Sequence, residues 1–366
     1  MQSIFDSFNL CYGDTPITTD SAANVVAAFK ITNETRLPCM AHRCNTVLET
    51  AWDETKRKYT SFEIFCNSVR DLRKFINQTS GIQDKLPATI KSNSGTRPWR
   101  SYFTVHDSIN TFFETLTEIL RARNEQNRLF YIDTLLLLDI VDFMRNFSLI
   151  FDHLEFSSCP TLQNVVPSYY KMVSYCEVTS NTQQKEILNT LKIETLKSLN
   201  DKYWTSITTL HWIASYLEPT FKCLTFIQDK KERDKRLNEI RKGLHVLAHD
   251  LMTNNDNNEE IVVTSVGYAS SSSPPPKKCK NDPFADIRQH VSDKPHLPTT
   301  TLQVLTRELD RQIQLYSNMD LNDFLEYDNN PLYFWKHEQY RLPLLAKIAR
   351  SIFVIQGKYL LYFECS

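Results

Sequence analysis

The sequence predicts an α/β core, only partly represented in this chain, that carries a large and mainly α-helical insertion. Three observations predict it. The first fifty residues alternate short strand-like runs, the first of them β-branched, with helical patterns, as α/β units do. From about Trp52 to Met252 the apolar spacing is helical almost throughout. Glycine, the residue of tight turns and phosphate-cradling loops, occurs six times in 366 residues, where average usage gives roughly 26.

In chain order, residues 1–50 form the core fragment. Pro16 to Thr19 is a short strand ending at Asp20, and Ser21 to Phe29 reads as a helix. Arg36 to Met40 is a second short strand, and Asn45 onward is helical. One such two-stranded unit is too small to be a stable sheet, so this reading expects further core strands that the sequence does not contain. Residues 51–253 form the helical insertion. In it Ile132, Leu136, Ile140, Phe143 and Phe147 make one apolar stripe, and Asp229 to Asp250 reads as a solvated amphipathic helix. Residues 254–298 hold an Asn/Asp/Glu run, four consecutive serines, three consecutive prolines and a Lys-Lys-Cys-Lys cluster. Such composition cannot bury enough apolar area to offset ordering entropy, so a disordered linker is expected. Pro274 to Lys280 also has the form of a short nuclear-import signal. Residues 299–366 return to helix, over Leu302–Leu315, Asp320–Tyr327 and from Pro331 on.

Composition narrows the function. Lys and Arg number 42 against 43 Asp and Glu, a net charge of −1. That balance excludes the proteins whose nucleic-acid affinity comes from bulk positive charge. Neither G-x-G-x-x-G nor G-x-x-x-x-G-K-[ST] occurs, which removes the usual nucleotide loops. The N-terminus lacks the pattern of a secretory signal, and no apolar run approaches a membrane span. The nine cysteines, an odd count, read as reduced thiols of the cytosol or nucleus.

Four groups of residues can carry chemistry. Asp20 closes a strand and precedes a helix. Taken alone it suits an N-cap better; a strand-end carboxylate also suits a Mg²⁺ site, given at least two further acids. Cys39, His42 and Cys44 offer soft ligands, but a structural zinc needs four; a strand-to-helix corner packed by thiol and imidazole is the other reading. His245 and His249 form an i, i+4 pair without the acidic H-E-x-x-H context. Trp99, flanked by Arg97, Arg100 and Tyr102, suits either a base stack with phosphate contacts or a core position.

Together these segments resemble the hAT superfamily of DNA transposases and the zinc-finger BED-type proteins derived from them. Thr18-Thr19-Asp20-Ser21-Ala22-Ala23-Asn24 resembles the block around that family's second catalytic aspartate. Cys39-Met40-Ala41-His42 matches its C-x-x-H motif, and Trp99-Arg100-Ser101 its Trp-x-Ser block. Lys202-Tyr203-Trp204 and Ile213 to Lys222 look like two segments of its helical insertion. Asn330 to Lys336 with Leu342 to Arg350 resembles its C-terminal dimerisation block. The resemblance implies an RNase H-like core and a nuclear protein. Active relatives use Mg²⁺ to cut and join DNA.

Departures from the family pattern set the functional expectation. The first aspartate, the S-x-x-S-E-R-x-F-S block with its glutamate, and the BED finger are not found, and Pro98 stands where an arginine commonly precedes the tryptophan. Asp20 is then vestigial. The expected protein is truncated and catalytically inactive, with no cofactor, no membrane and no small-molecule substrate. It forms a homodimer, or pairs with an hAT-family partner, and contacts DNA weakly or not at all, through Trp99, Arg97 and Arg100. The alternative is a fragment of an active transposase. Dimerisation is assigned to Phe334, Trp335, Leu342, Leu345 and Ala349, because three successive aromatics on a helix cannot all face one core and exposed aromatics anchor interfaces.

Overall fold

The β-branched run Ile17–Thr19 forms strand β1, which pairs in parallel with β2 (Arg36–Pro38); Ile17 stands opposite Arg36 and Thr19 opposite Pro38. Parallel strands need a crossover, and helix α1 (Ala23–Thr32) supplies it. The structure, a computed structural model, describes residues 16–20, 22–32, 35–90, 98–155, 159–178, 186–253, 301–320 and 330–355. The expected linker and the helix expected at Asp320–Tyr327 lie outside these residues, the latter except for Asp320.

Helix α2 (Met40–Lys58) starts directly after β2, with Cys39 at its N-cap, and ends on three cations, Lys56, Arg57 and Lys58. Positive charge there complements the helix dipole. Tyr59, in extended backbone, ends α2 and begins α3 (Thr60–Gln78). Along α3, Phe62, Phe65, Val69, Leu72 and Ile76 are buried, one stripe at helical spacing. Helices α4 (Pro98–Thr111), α5 (Phe113–Ala122), α6 (Thr134–Glu155), α7 (Val165–Tyr175) and α8 (Glu186–Ser198) follow. The predicted stripe on α6 is buried as a unit, from Ile132 to Phe147. A single π-turn, Leu199–Tyr203, continues α8. Helix α2 lies along α8 and this turn, and α4 lies along α6. Their apolar faces make the first core, from Cys39 to Tyr203.

A second core joins α9 (Thr209–Leu217), α10 (Lys230–Thr253), α11 (Thr301–Asn318), α12 (Pro331–His337) and α13 (Pro343–Phe353) to Leu162 and Val166. Helices α9 and α10 approach so closely at Gly243 that a β-carbon there would lie 2.8 Å from Cδ1 of Ile213. The solvated face expected on α10 is present, with Arg236 held between Glu232 and Glu239. Its other face, Ile240, Leu244 and Ala248, is core. Gln312 of α11 sits fully buried at the start of α13, where its Oε1 accepts the N–H groups of Leu344 and Leu345. It satisfies two of the donors a helix start leaves orphaned.

Packing groups the elements differently from the expected domains. The boundary at residue 50 falls inside α2, whose buried face belongs wholly to the first core. Residues 209–253 share the second core with the C-terminal helices rather than with the rest of the insertion. The small sheet touches both: Leu37 of β2 joins the second core, and Cys39, two residues on, joins the first.

Candidate functional site

At the C-terminal end of β1, the backbone of Thr19 accepts the N–H of Cys39 at 2.7 Å, which ties the strand to the start of α2. Arg36 reaches across from β2: its Nε donates to Thr19 Oγ1 at 2.6 Å and its Nη2 to the Asp20 carbonyl at 2.5 Å. Burial lowers the Arg36 pKa, and the nearby Arg43 lowers it further, against the opposing pull of Asp20. The Asp20 carboxylate accepts the N–H of Ala22 at 3.2 Å, a local turn ahead of α1. Asp20 is therefore not the N-cap of α1: it lies three residues before Ala23, and its carboxylate closes a local turn instead. Among the described residues no group of three His, Cys, Asp or Glu side chains is placed to hold a metal ion.

The C-x-x-H residues sit at the predicted corner. Cys39 is buried in the first core, its carbonyl accepting the N–H of Arg43, while His42 is half-buried on the first turn of α2. Asn24 is exposed on α1, its own side chain accepting the N–H of Val25.

Trp99 is a core residue. It is 1% exposed, its ring meets Trp52 edge-on at 5.4 Å, and its backbone N–H donates to Asn45 Oδ1 at 3.2 Å. The expected base stack is therefore corrected, because a ring closed off on its faces by the first core has none to offer a base. Arg100 is engaged by Asp152 and by Glu155 at 3.4 Å. Two carboxylates beside the guanidinium oppose the phosphate contact expected of it. Arg97 lies outside the described residues. Asn45, which anchors the start of α4, carries no signal in the sequence that could have singled it out.

The later family-like segments are packing seams. Tyr203 is buried with its hydroxyl donating to the Val165 carbonyl, and Lys202 Nζ donates to Thr50 Oγ1 at 2.5 Å, pinning the π-turn to α2. Lys222 is buried and donates to the Tyr316 and Met319 carbonyls, closing the end of α11. His245 Nε2 lies 2.9 Å from Asp310 Oδ1, a contact between α10 and α11.

Glu218, 5% exposed beyond the end of α9, accepts the Thr220 hydroxyl. Burial pushes its carboxyl up from 4.5 to about 7 against the pull of the Thr220 hydrogen bonds. The folded chain thus holds this proton more tightly than the unfolded one. The contribution is fully present below pH 4.5 and is lost as pH rises through about 7, because the slope follows the difference in bound protons. Glu218→Gln should remove that loss. Its stability gain over the parent, read by urea unfolding, should grow from near zero at pH 4 to about 3 kcal/mol at pH 8. A gain independent of pH would contradict this account.

The C-terminal aromatics require a second correction. Phe334, Trp335, Leu342, Leu345 and Ala349 are each 2% exposed or less, and all lie in the chain's own second core. Asn330 caps α12 by accepting the Leu332 N–H, with Pro331 at the first helical position. This fixed start turns Phe334 and Trp335 inward and leaves Tyr333 outside at 58% exposure. The geometric argument against three inward aromatics holds for Tyr333 alone.

This chain is distantly similar to one transposase of a mobile DNA element. No protein-family model matches it. One relative is the transposase of the transposable element Hobo from Drosophila melanogaster, 27% identical over 220 residues, which are 60% of this chain and 32% of that protein. The chain thus matches about a third of the length of that curated relative. The relation supports a transposase-derived, hAT-like origin.

Proposed function

We propose that this is a transposase-derived nuclear protein that does not cleave DNA and acts by self-association, with weak DNA contact. On this reading residues 1–50 hold a fragment of an RNase H-like core. The observation that carries it is the setting of Asp20. Its carboxylate is taken up by a backbone turn, with the guanidinium groups of Arg36 and Arg43 beside the strand end. Cations there compete with a metal ion for the carboxylate, whereas two-metal phosphoryl chemistry needs converging acids.

Self-association is assigned to the outer side of the C-terminal helices. Tyr333 and Tyr340 are 58% and 90% exposed, with Leu332 and Val354 also open to solvent. Amphipathic aromatics of this kind dominate interfaces. Sedimentation should show a dimer at tens of micromolar for the parent chain and a monomer for the double variant Tyr333→Ser, Tyr340→Ser. These are surface positions, so the variant should keep its unfolding midpoint. A monomeric parent, or a dimer that survives in the variant, contradicts the assignment.

A further inference from the structure

Helices α2, α3 and α4 line a partly open pocket of about 200 Å³ at the edge of the first core. Trp52 and Tyr102, stacked at 17° with their ring centroids 6.1 Å apart, form one aromatic wall of it. Val69 and Val105, both buried, complete the apolar lining.

Two polar groups on this wall lack partners. His106 is 5% exposed, and its Nδ1 lies 2.7 Å from the Tyr102 carbonyl. A carbonyl only accepts, so Nδ1 carries the proton and Nε2 is left as an acceptor. That Nε2 is buried without a hydrogen bond. Burial lowers the imidazole to about 4, which keeps it neutral near pH 7. Arg73, also on the wall, has a buried Nε without a partner, and no acid pairs with it among the described residues. The other two cations at the cavity are already paired: Lys56 with Asp53 at 3.6 Å, and Arg70 with Asp71 at 3.3 Å. A buried acceptor and a buried donor left unsatisfied each cost stability. Both residues line the same pocket, beside the stacked Trp52–Tyr102 pair.

We propose that this cavity is a binding site for a small planar organic anion: one ring or two fused rings, bearing a carboxylate and a ring N–H. The carboxylate faces Arg73 and the N–H donates to His106 Nε2. The volume sets the size, since drug-sized ligands occupy pockets of roughly 300 Å³ and more. The site owes nothing to the transposase reading and stands or falls separately from it.

Titration calorimetry on the full chain tests it with three probes. Indole-3-acetate has both groups, 1-naphthylacetate keeps size and charge but lacks the N–H, and indole lacks the carboxylate. Indole-3-acetate should bind, and each of the others about tenfold more weakly, the ratio expected for one hydrogen bond left unmade. His106→Phe, which keeps a ring against Trp52, and Arg73→Gln should each weaken indole-3-acetate by a similar factor with the near-ultraviolet circular dichroism unchanged. If either variant fails to fold, the probe series on the parent decides alone. No heat with indole-3-acetate at millimolar concentration would mean that water fills the cavity, and the proposal fails. Equal affinity for naphthylacetate overturns the role of His106. Single-stranded DNA that binds the parent and is lost in both variants overturns the small-anion site in favour of a nucleic-acid one.

Discussion

Trp335→Ala is expected to remove about 3–5 kcal/mol of stability, the range for deleting a large buried aromatic. Trp335 is fully buried, packs on Tyr316 at 5.1 Å and on Phe334 at 5.0 Å, and donates its Nε1–H to the Leu217 carbonyl at 2.8 Å. The indole thus binds α12 to α9 and α11, three elements brought together from distant parts of the sequence. Two losses add: the cavity, and an orphaned carbonyl at the end of α9. Trp335→Phe separates them, because it keeps much of the volume and loses the hydrogen bond, at about 1–3 kcal/mol. Urea unfolding of both variants measures the two terms. A loss under 1 kcal/mol for the alanine variant would place Trp335 at an interface between chains rather than in this core.

Trp99→Ala should be comparably destabilising, about 3–5 kcal/mol. The ring fills the first core against Trp52, while the bond from its backbone N–H to Asn45 survives the substitution. The folded fraction should bind single-stranded DNA as the parent does, since the ring has no open face. Anisotropy titration and urea unfolding on the same sample distinguish the outcomes. Intact stability with lost DNA binding would restore the base stack.

Helical periodicity was the most legible feature. The α6 stripe and the buried face of α10 lie where spacing puts them, because a 3.6-residue period needs no knowledge of the partner surface. The β1–α1–β2 unit was legible from the β-branched run of β1 and the alternation of strand and helix patterns. The orientation of Trp99 and of Phe334 and Trp335 was not. A tryptophan beside arginines reads alike whether it faces a core or a ligand, and only Asn45, more than fifty residues earlier, and the α2 face decide it. Likewise α12 is short, so its inward side is set by the Asn330 cap and by Leu217 and Tyr316 of other helices. The His106 and Arg73 wall was equally invisible, since it is assembled from α3 and α4 at positions with no motif.

The most direct test of the functional account is strand cleavage. The full chain, incubated with hairpin and transposon-end DNA in Mg²⁺ and then in Mn²⁺, should leave both strands intact. A turn-bound carboxylate with arginines beside it, and no converging acids among the described residues, cannot clamp the two ions that in-line displacement requires. Nicking that requires the divalent ion and disappears in Asp20→Asn would falsify the non-cleaving account and make Asp20 a working ligand.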